Sequence, residues 1–190
     1  MQGNDQLTAQ TDSLLLRRFL AGDQAGFEEI FLRHYPMVFG VLYRLSDSPQ
    51  EAEDLAQEVF LKLYRRPLRS GDNLAGWLYR VALNTGYNAL RASARRGRRE
   101  TLAGWDTQGL PLPEEETERR ETARQVRAAL LRIPERDARL LVLSEAGFNY
   151  RQIADVVGVA PGSVGTLLAR ARRAFQSAYD GDEKKVSDGR

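Results

Sequence analysis

An all-α fold of two helical domains, the second a helix-turn-helix, is what this sequence predicts, and three observations carry the expectation. Apolar residues recur at three- and four-residue steps along most of the chain, with no alternating run that suits a strand. Helix-start signals stand where those periods begin, Ser48-Pro49-Gln50-Glu51 being the clearest. Between Gly97 and about Thr117 the period lapses, and Gly97, Gly104, Gly109, Pro111 and Pro113 read as a flexible linker.

Taken in order, Leu14, Leu15, Leu16, Phe19 and Leu20 predict a short first helix that stops at Gly22. Asp23 can cap a longer one carrying Phe27, Ile30, Phe31, Val38, Val41, Leu42 and Leu45, which Pro36 should kink or divide. The helix begun at Pro49 runs to about Arg65, and Pro67 to Asn73 reads as a loop. Asn73 can cap the next helix, from Leu74 to about Arg96. Val126, Leu130 and Leu131 resume the pattern, Pro134 breaks it, and Leu140 to Leu143 carry it on to Gly147.

The last third is the most informative. Asn149 caps a short helix with Ile153, Ala154 and Val157 on one face, and Gly158 suits the left-handed residue that ends it. Pro161 suits the first turn of the following helix, where Val164, Leu167, Leu168 and Ala171 repeat on one side. Ser163, Thr166, Arg170 and Arg173 are left on other faces, which is the layout of a DNA-reading helix-turn-helix. Ala160 stands where a capping serine would serve that helix better. The expected division is a helical domain over 1–97, a flexible acidic linker over 98–121, a helix-turn-helix domain over 122–180 and a disordered tail over 181–190.

Composition excludes several classes of function. With 190 residues, 42% of them hydrophobic, the chain can bury real cores, yet it has no apolar run that would span a bilayer. Met1 to Thr11 is polar and resembles no signal segment, so a cytoplasmic protein without membrane insertion is expected. Zero cysteines remove disulfides, thiolate metal sites and a cysteine nucleophile. His34 is the sole histidine, lacks a nucleophile motif and, beside Tyr35-Pro36, reads as a packed helix position. Gly158, Gly162 and Gly165 lack the spacing of a phosphate-binding loop, so neither an enzyme nor a cofactor is expected. The net charge is only +2, but Arg91, Arg95, Arg96, Arg98 and Arg99 form one basic cluster and Arg170, Arg172 and Arg173 another. An acidic stretch with Asp106, Glu114, Glu115, Glu116 and Glu118 separates them, which suggests two polyanion contacts.

Three stretches then match one family in its own order. Asp54-Leu-Ala-Gln-Glu-Val-Phe-Leu-Lys-Leu-Tyr64 resembles the part of a bacterial sigma factor that grips RNA polymerase core enzyme. Leu74-Ala-Gly-Trp-Leu-Tyr-Arg-Val-Ala-Leu-Asn-Thr-Gly-Tyr-Asn-Ala-Leu-Arg91 resembles the promoter-melting helix of the extracytoplasmic-function sigma factors, in the sigma-70 family. The terminal helix-turn-helix, with Leu130 to Leu143 before it, resembles their other DNA-binding domain, so the resemblance covers about Leu14 to Tyr179. It implies a subunit that binds core through the beta and beta-prime subunits, recognises the minus-ten and minus-thirty-five elements of promoter DNA and melts the duplex. It also implies an anti-sigma partner.

Carried over residue by residue, the resemblance puts Asp54, Gln57 and Glu58 against the polymerase clamp, with Phe60 and Tyr64 as apolar anchors at the edge. Carboxylates and an amide on one helix face suit a helical partner bearing arginines. The Arg66–Asn73 loop and the helix after it would hold the melted minus-ten strand, through Asn73, Trp77, Asn84, Tyr87 and Asn88, with Arg80, Arg91, Arg95 and Arg96 on phosphates. Trp77 reads equally well as core, and Leu78, Val81 and Ala82 are core in either case. For the minus-thirty-five element, Thr166 and Arg170 are the base-edge candidates, Ser163 and Arg173 the backbone ones, and Arg151 and Gln152 sit where phosphate contacts are usual. Two positions depart from the family: Gly165, where many relatives carry lysine or arginine, and Asn88, where many carry aspartate. A stand-alone helix-turn-helix regulator acting as a dimer is the alternative function, and an adaptor that mimics the fold is another; neither gives a role to both the Asp54–Tyr64 motif and the two arginine clusters.

Overall fold

The computed structural model describes residues 2–68, 73–102 and 114–187, with side chains described over 11–68, 73–99 and 117–181. Every regular element among them is helical: α1 (Gln2–Leu20), α2 (Gln24–Tyr43), α3 (Pro49–Arg65), α4 (Leu74–Leu102), α5 (Glu114–Arg132), α6 (Glu135–Glu145), α7 (Tyr150–Val157), a 3-10 turn (Pro161–Ser163) and α8 (Val164–Ser187). The chain divides into two compact units, Met1–Gly86 and Tyr87–Arg190, and the division falls inside α4.

In the first unit, the local signals place the helix starts. Asp23 Oδ1 accepts from the Ala25 amide at 3.0 Å and opens α2, and Ser48 Oγ accepts from the Glu51 amide at 3.1 Å and opens α3. The Glu51 carboxylate reaches back to the Asp47 amide at 2.7 Å, one residue further than a simple reciprocal cap. α2 runs undivided through Pro36, where the sequence suggests a kink or a break. The carbonyl deprived of its donor belongs to Leu32, on the solvent side, where Leu32 is 72% exposed and water can serve as partner. α1 and α2 cross closely: a Cβ on Gly26 would lie 2.6 Å from the Leu15 carbonyl oxygen and 2.9 Å from the Phe19 amide nitrogen, so only glycine fits.

The core of this unit is Leu15, Leu16, Ile30, Val38, Leu42, Ala56, Val59, Leu63, Leu78 and Leu83, but a polar network runs through it. Asp12 accepts from Arg33 Nη1 at 2.9 Å and from His34 Nε2 at 2.9 Å, and His34 Nδ1 lies 3.1 Å from the Tyr79 hydroxyl. A carboxylate only accepts, so Nε2 carries a hydrogen, and in the tautomer with its hydrogen there Nδ1 is placed to accept from the Tyr79 hydroxyl. Burial, and then the Asp12 charge, push the Tyr79 phenol far above its usual range, which keeps it a donor. His34 is thus a packed position, as its neighbours suggest, and its two bonds join α1, α2 and α4.

The second unit is built on α6 and α8. Leu140, Leu143, Ile153, Ala154, Val164, Leu168 and Ala171 are buried, with Ala129 and Leu130 of α5 closing the core. Asn149 and Gln152 form a full capping box on α7, each side chain bonded to the other's amide at 2.9 and 3.0 Å. Gly158 ends that helix at φ +78°, in the left-handed region. Val156, not the expected Val157, joins Ile153 and Ala154 on the buried face of α7. Helices also reach into the stretches read as linker and tail: α4 continues to Leu102, α5 starts at Glu114 and α8 reaches Ser187. Those residues are rich in Glu, Arg and Lys, whose helix propensity outweighs a lack of apolar periodicity. Residues 103–113 and 188–190 lie outside the described residues.

Replacing Asp12 by alanine would leave a buried imidazole N–H without its acceptor and would leave Arg33 with only its exposed partner Glu29. Asp12→Ala is expected to lower the unfolding free energy by about 3 kcal/mol, and Asp12→Asn by less. Urea denaturation followed by circular dichroism measures both.

Candidate polymerase-binding and nucleic-acid surfaces

On α3, Ala52, Ala56, Val59 and Leu63 are fully buried, and the helical period turns Asp54, Gln57 and Glu58 outward together. Glu58 bonds to Lys62 at 2.7 Å, and Lys62 also donates to Thr85 Oγ1 at 3.1 Å, which ties the end of the acidic face to α4. Phe60 does not stand at the edge of this face as the resemblance implies. It is 2% exposed and packs against Phe31, ring centroids 4.7 Å apart, because position 60 follows 56 and precedes 63 on the buried flank. Tyr64 is 44% exposed and leans on Phe19 and Phe27. The apolar residue that does share the acidic face is Leu61, 47% exposed, and the spacing 54, 57, 58, 61 could have revealed it in the sequence. Beside this face, Phe31, Tyr35, Phe39 and Tyr43 line α2 in successive ring contacts of 5.0, 5.9 and 5.8 Å.

On α4, Arg80, Asn84, Asn88, Arg91 and Arg95 are exposed and follow one another at steps of three and four, so they form one stripe, with Trp77 half-buried at its start. Arg96 is exposed beside it. Asn73 caps the helix, its Oδ1 accepting from the Gly76 amide at 3.0 Å, while 69–72 of the expected strand-holding loop lie outside the described residues. Tyr87 is not on the stripe. It is 2% exposed, its hydroxyl finds no hydrogen-bond partner among the described residues, and the Arg139 guanidinium lies 5.9 Å from its ring centre. Burial raises its phenol far above the usual value, and neither ring face is open to a base. Arg91 pairs with Glu135, which also takes Arg139; the Arg91 bond, with help from Arg139, holds the Glu135 carboxyl below the usual carboxylate range.

Burial of Val164, Leu168 and Ala171 leaves Ser163, the last residue of the 3-10 turn, and Thr166, Arg170 and Arg173 of α8 exposed at steps of three and four. Arg151 is exposed at the start of α7, whereas the Gln152 carbonyl oxygen is committed to the cap, leaving its amide N–H₂ for a phosphate. Ala160 provides no side-chain cap, and the 3-10 turn replaces it with a bond from the Ser163 amide to the Ala160 carbonyl at 2.9 Å. Next to Gly165, Tyr150 fills the space: its ring lies 3.5 Å from where a Cβ would stand, and it is 55% exposed. Arg170 Nη2 donates to Asp137 Oδ1 at 2.7 Å, a contact invisible in the sequence.

Three chemistries are therefore displayed: an acidic face with one leucine, a stripe of arginines and amides, and a short basic-hydroxylic stripe on the second helix of a helix-turn-helix. Family models for sigma-70 region 2 and sigma-70 region 4 match residues 30–96 and 123–175. The RNA polymerase sigma-H factor of Pseudomonas aeruginosa is 32% identical over 184 residues, covering 90% of this chain and 95% of that one. The ECF RNA polymerase sigma-E factor of Haemophilus influenzae is 30% identical over 179 residues, covering 88% and 94%. Among solved structures, CnrH in complex with the cytosolic domain of CnrY shares the fold with a TM-score of 0.63 at 16% identity, over 90% of this chain and 99% of that one.

Asn73 has a structural task that any test of DNA contact must separate out. Asn73→Ala is expected to cost about 1 kcal/mol through the lost cap, and Asn73→Ser only a few tenths of that. Thermal melts of the two variants check the difference.

Proposed function

Because the chain belongs to the extracytoplasmic-function sigma factors of the sigma-70 family, non-catalytic subunits with which RNA polymerase initiates transcription, we propose how its surfaces divide that work. A domain over 1–97 binds core and opens the promoter, and a domain over 122–180 reads the upstream element as duplex. The observation that carries this reading is that all three functional faces are exposed opposite fully buried stripes of their own helices. The family and the chemistry of each face support the assignment residue by residue.

Asp54, Gln57 and Glu58 meet an arginine-bearing helix of the beta-prime or beta subunit, with Leu61 and Tyr64 as the apolar anchors beside them. Arg80, Arg91, Arg95 and Arg96 hold phosphates of the minus-ten strand, and Trp77, Asn84 and Asn88 meet its unstacked bases. Tyr87 joins them only by leaving its buried position. Thr166 and Arg170 read base edges of the minus-thirty-five element, while Arg151, Gln152, Ser163 and Arg173 contact its backbone. The protein works in the cytoplasm with its polymerase; no described helix is long and apolar enough to cross a membrane. An anti-sigma protein covering the same faces is the expected inhibitor.

Asp54→Arg with Glu58→Arg should abolish co-purification with core enzyme while leaving helicity unchanged; undiminished co-purification would remove α3 from the interface. Arg173→Ala should weaken binding to all promoters alike and flatten the dependence of log affinity on log salt by about one unit. Fluorescence anisotropy of the holoenzyme across a salt series reads that slope.

A further inference from the structure

The Arg170–Asp137 contact brings a buried acid to a base-reading candidate. Asp137 lies in the first turn of α6, 3% exposed, and its amide is bonded to the Pro134 carbonyl at 2.9 Å. Its Oδ1 accepts from Arg170 Nη2 at 2.7 Å, while Arg136 Nε stands further off at 3.7 Å. The Arg170 side chain is nevertheless 48% exposed. One N–H of Arg170 points inward to a carboxylate on another helix, and its other N–H groups take no protein partner among the described residues.

We propose that Asp137 is a specificity-determining positioning residue, which holds the Arg170 guanidinium in the orientation that reads one guanine of the upstream promoter element. This rests on the reading that Arg170 meets a base edge. A guanidinium has five N–H donors in a rigid plane, and guanine presents O6 and N7 in the major groove. Binding one Nη2 hydrogen to Asp137 leaves the other Nη2 hydrogen and both Nη1 hydrogens for that pair of acceptors. A free arginine samples many rotamers and bonds phosphates and bases alike. An arginine anchored at one nitrogen presents a single plane to the groove and has less side-chain entropy to lose on binding. Asp137 cannot follow the arginine outward, because it is buried and its backbone is held in the α6 start. It makes no contact with DNA itself, and as an acid near the duplex it disfavours binding at sequences where Arg170 finds no guanine.

Holoenzyme reconstituted with Asp137→Asn, Arg170→Ala or both is used to select upstream elements from a randomised library, and the affinities are measured over a salt series. Asp137→Asn is expected to reduce preference at the single position that Arg170→Ala also relaxes, by about 2- to 12-fold, with an unchanged salt slope. In the Arg170→Ala background the Asp137→Asn change should have no further effect on the selected motif. Asp137→Glu, which keeps the charge but moves it by one methylene, serves where the asparagine variant melts too early, and it should alter preference at that same position. If Arg170→Ala relaxes a position that Asp137→Asn and Asp137→Glu leave untouched, or if Asp137→Asn weakens all sequences equally, Asp137 merely joins two helices and the proposal is overturned. If Arg170→Ala leaves the motif unchanged, the base-reading assignment of Arg170 falls first, and the proposal with it.

Discussion

Ala52, Ala56, Val59 and Leu63 give up all contact with water, and a helix with 3.6 residues per turn then has only one place for Asp54, Gln57 and Glu58. The same constraint governs α8, where Val164, Leu168 and Ala171 are sealed and the hydroxyls and arginines face out. Small residues are part of it. Ala52 and Ala56 lie wholly within the packed side of α3. One-sided burial therefore both stabilises each helix and displays its functional groups, and a substitution on the sealed side would rotate or loosen the displayed one.

The displayed charges are not idle. Glu58 bonds Lys62, Arg91 bonds Glu135, and Arg170 bonds Asp137. On the assignment proposed above, each partner is kept or exchanged when a polymerase helix or a phosphate arrives. For the half-exposed pair on α3 the exchange costs little, since solvated pairs of this spacing contribute about 0.3–0.5 kcal/mol. Asp137 is different, because a carboxylate that is 4% exposed would be left in a poor solvent. Contacts of the first sort tune an association, whereas the second sort is retained through it.

How much was legible in the sequence follows the range of the interaction. Asp23, Ser48, Asn149 and Gly158 act on residues within four of themselves, and all four stand as the spacing implies. Family resemblance puts Phe60 and Tyr87 on the expected functional surfaces, yet both are buried, because what covers them comes from other helices. The Asp12 network joins residues 21 to 45 positions apart, and no local pattern encodes it. The ends of α4, α5 and α8 are hidden for the opposite reason: their sequences carry no apolar rhythm, only propensity. For the candidate surfaces, the stripes on α4 and α8 were visible as numbers in steps of three and four. Leu61 stands in the same series on α3, but an exposed leucine carries no signal in the sequence without its partner.

His34 is the chain's sole imidazole, and it sits where three helices meet. A single ring with both nitrogens bonded gives one pair of nitrogen resonances, free of overlap and displaced from those of a solvated histidine. The protein thus carries its own isotopic reporter, sensitive at Nε2 to the presence of α1 and at Nδ1 to the position of the helix that bears Tyr79. Watching that one ring while polymerase or promoter is added would follow the interior of the first unit without introducing a label.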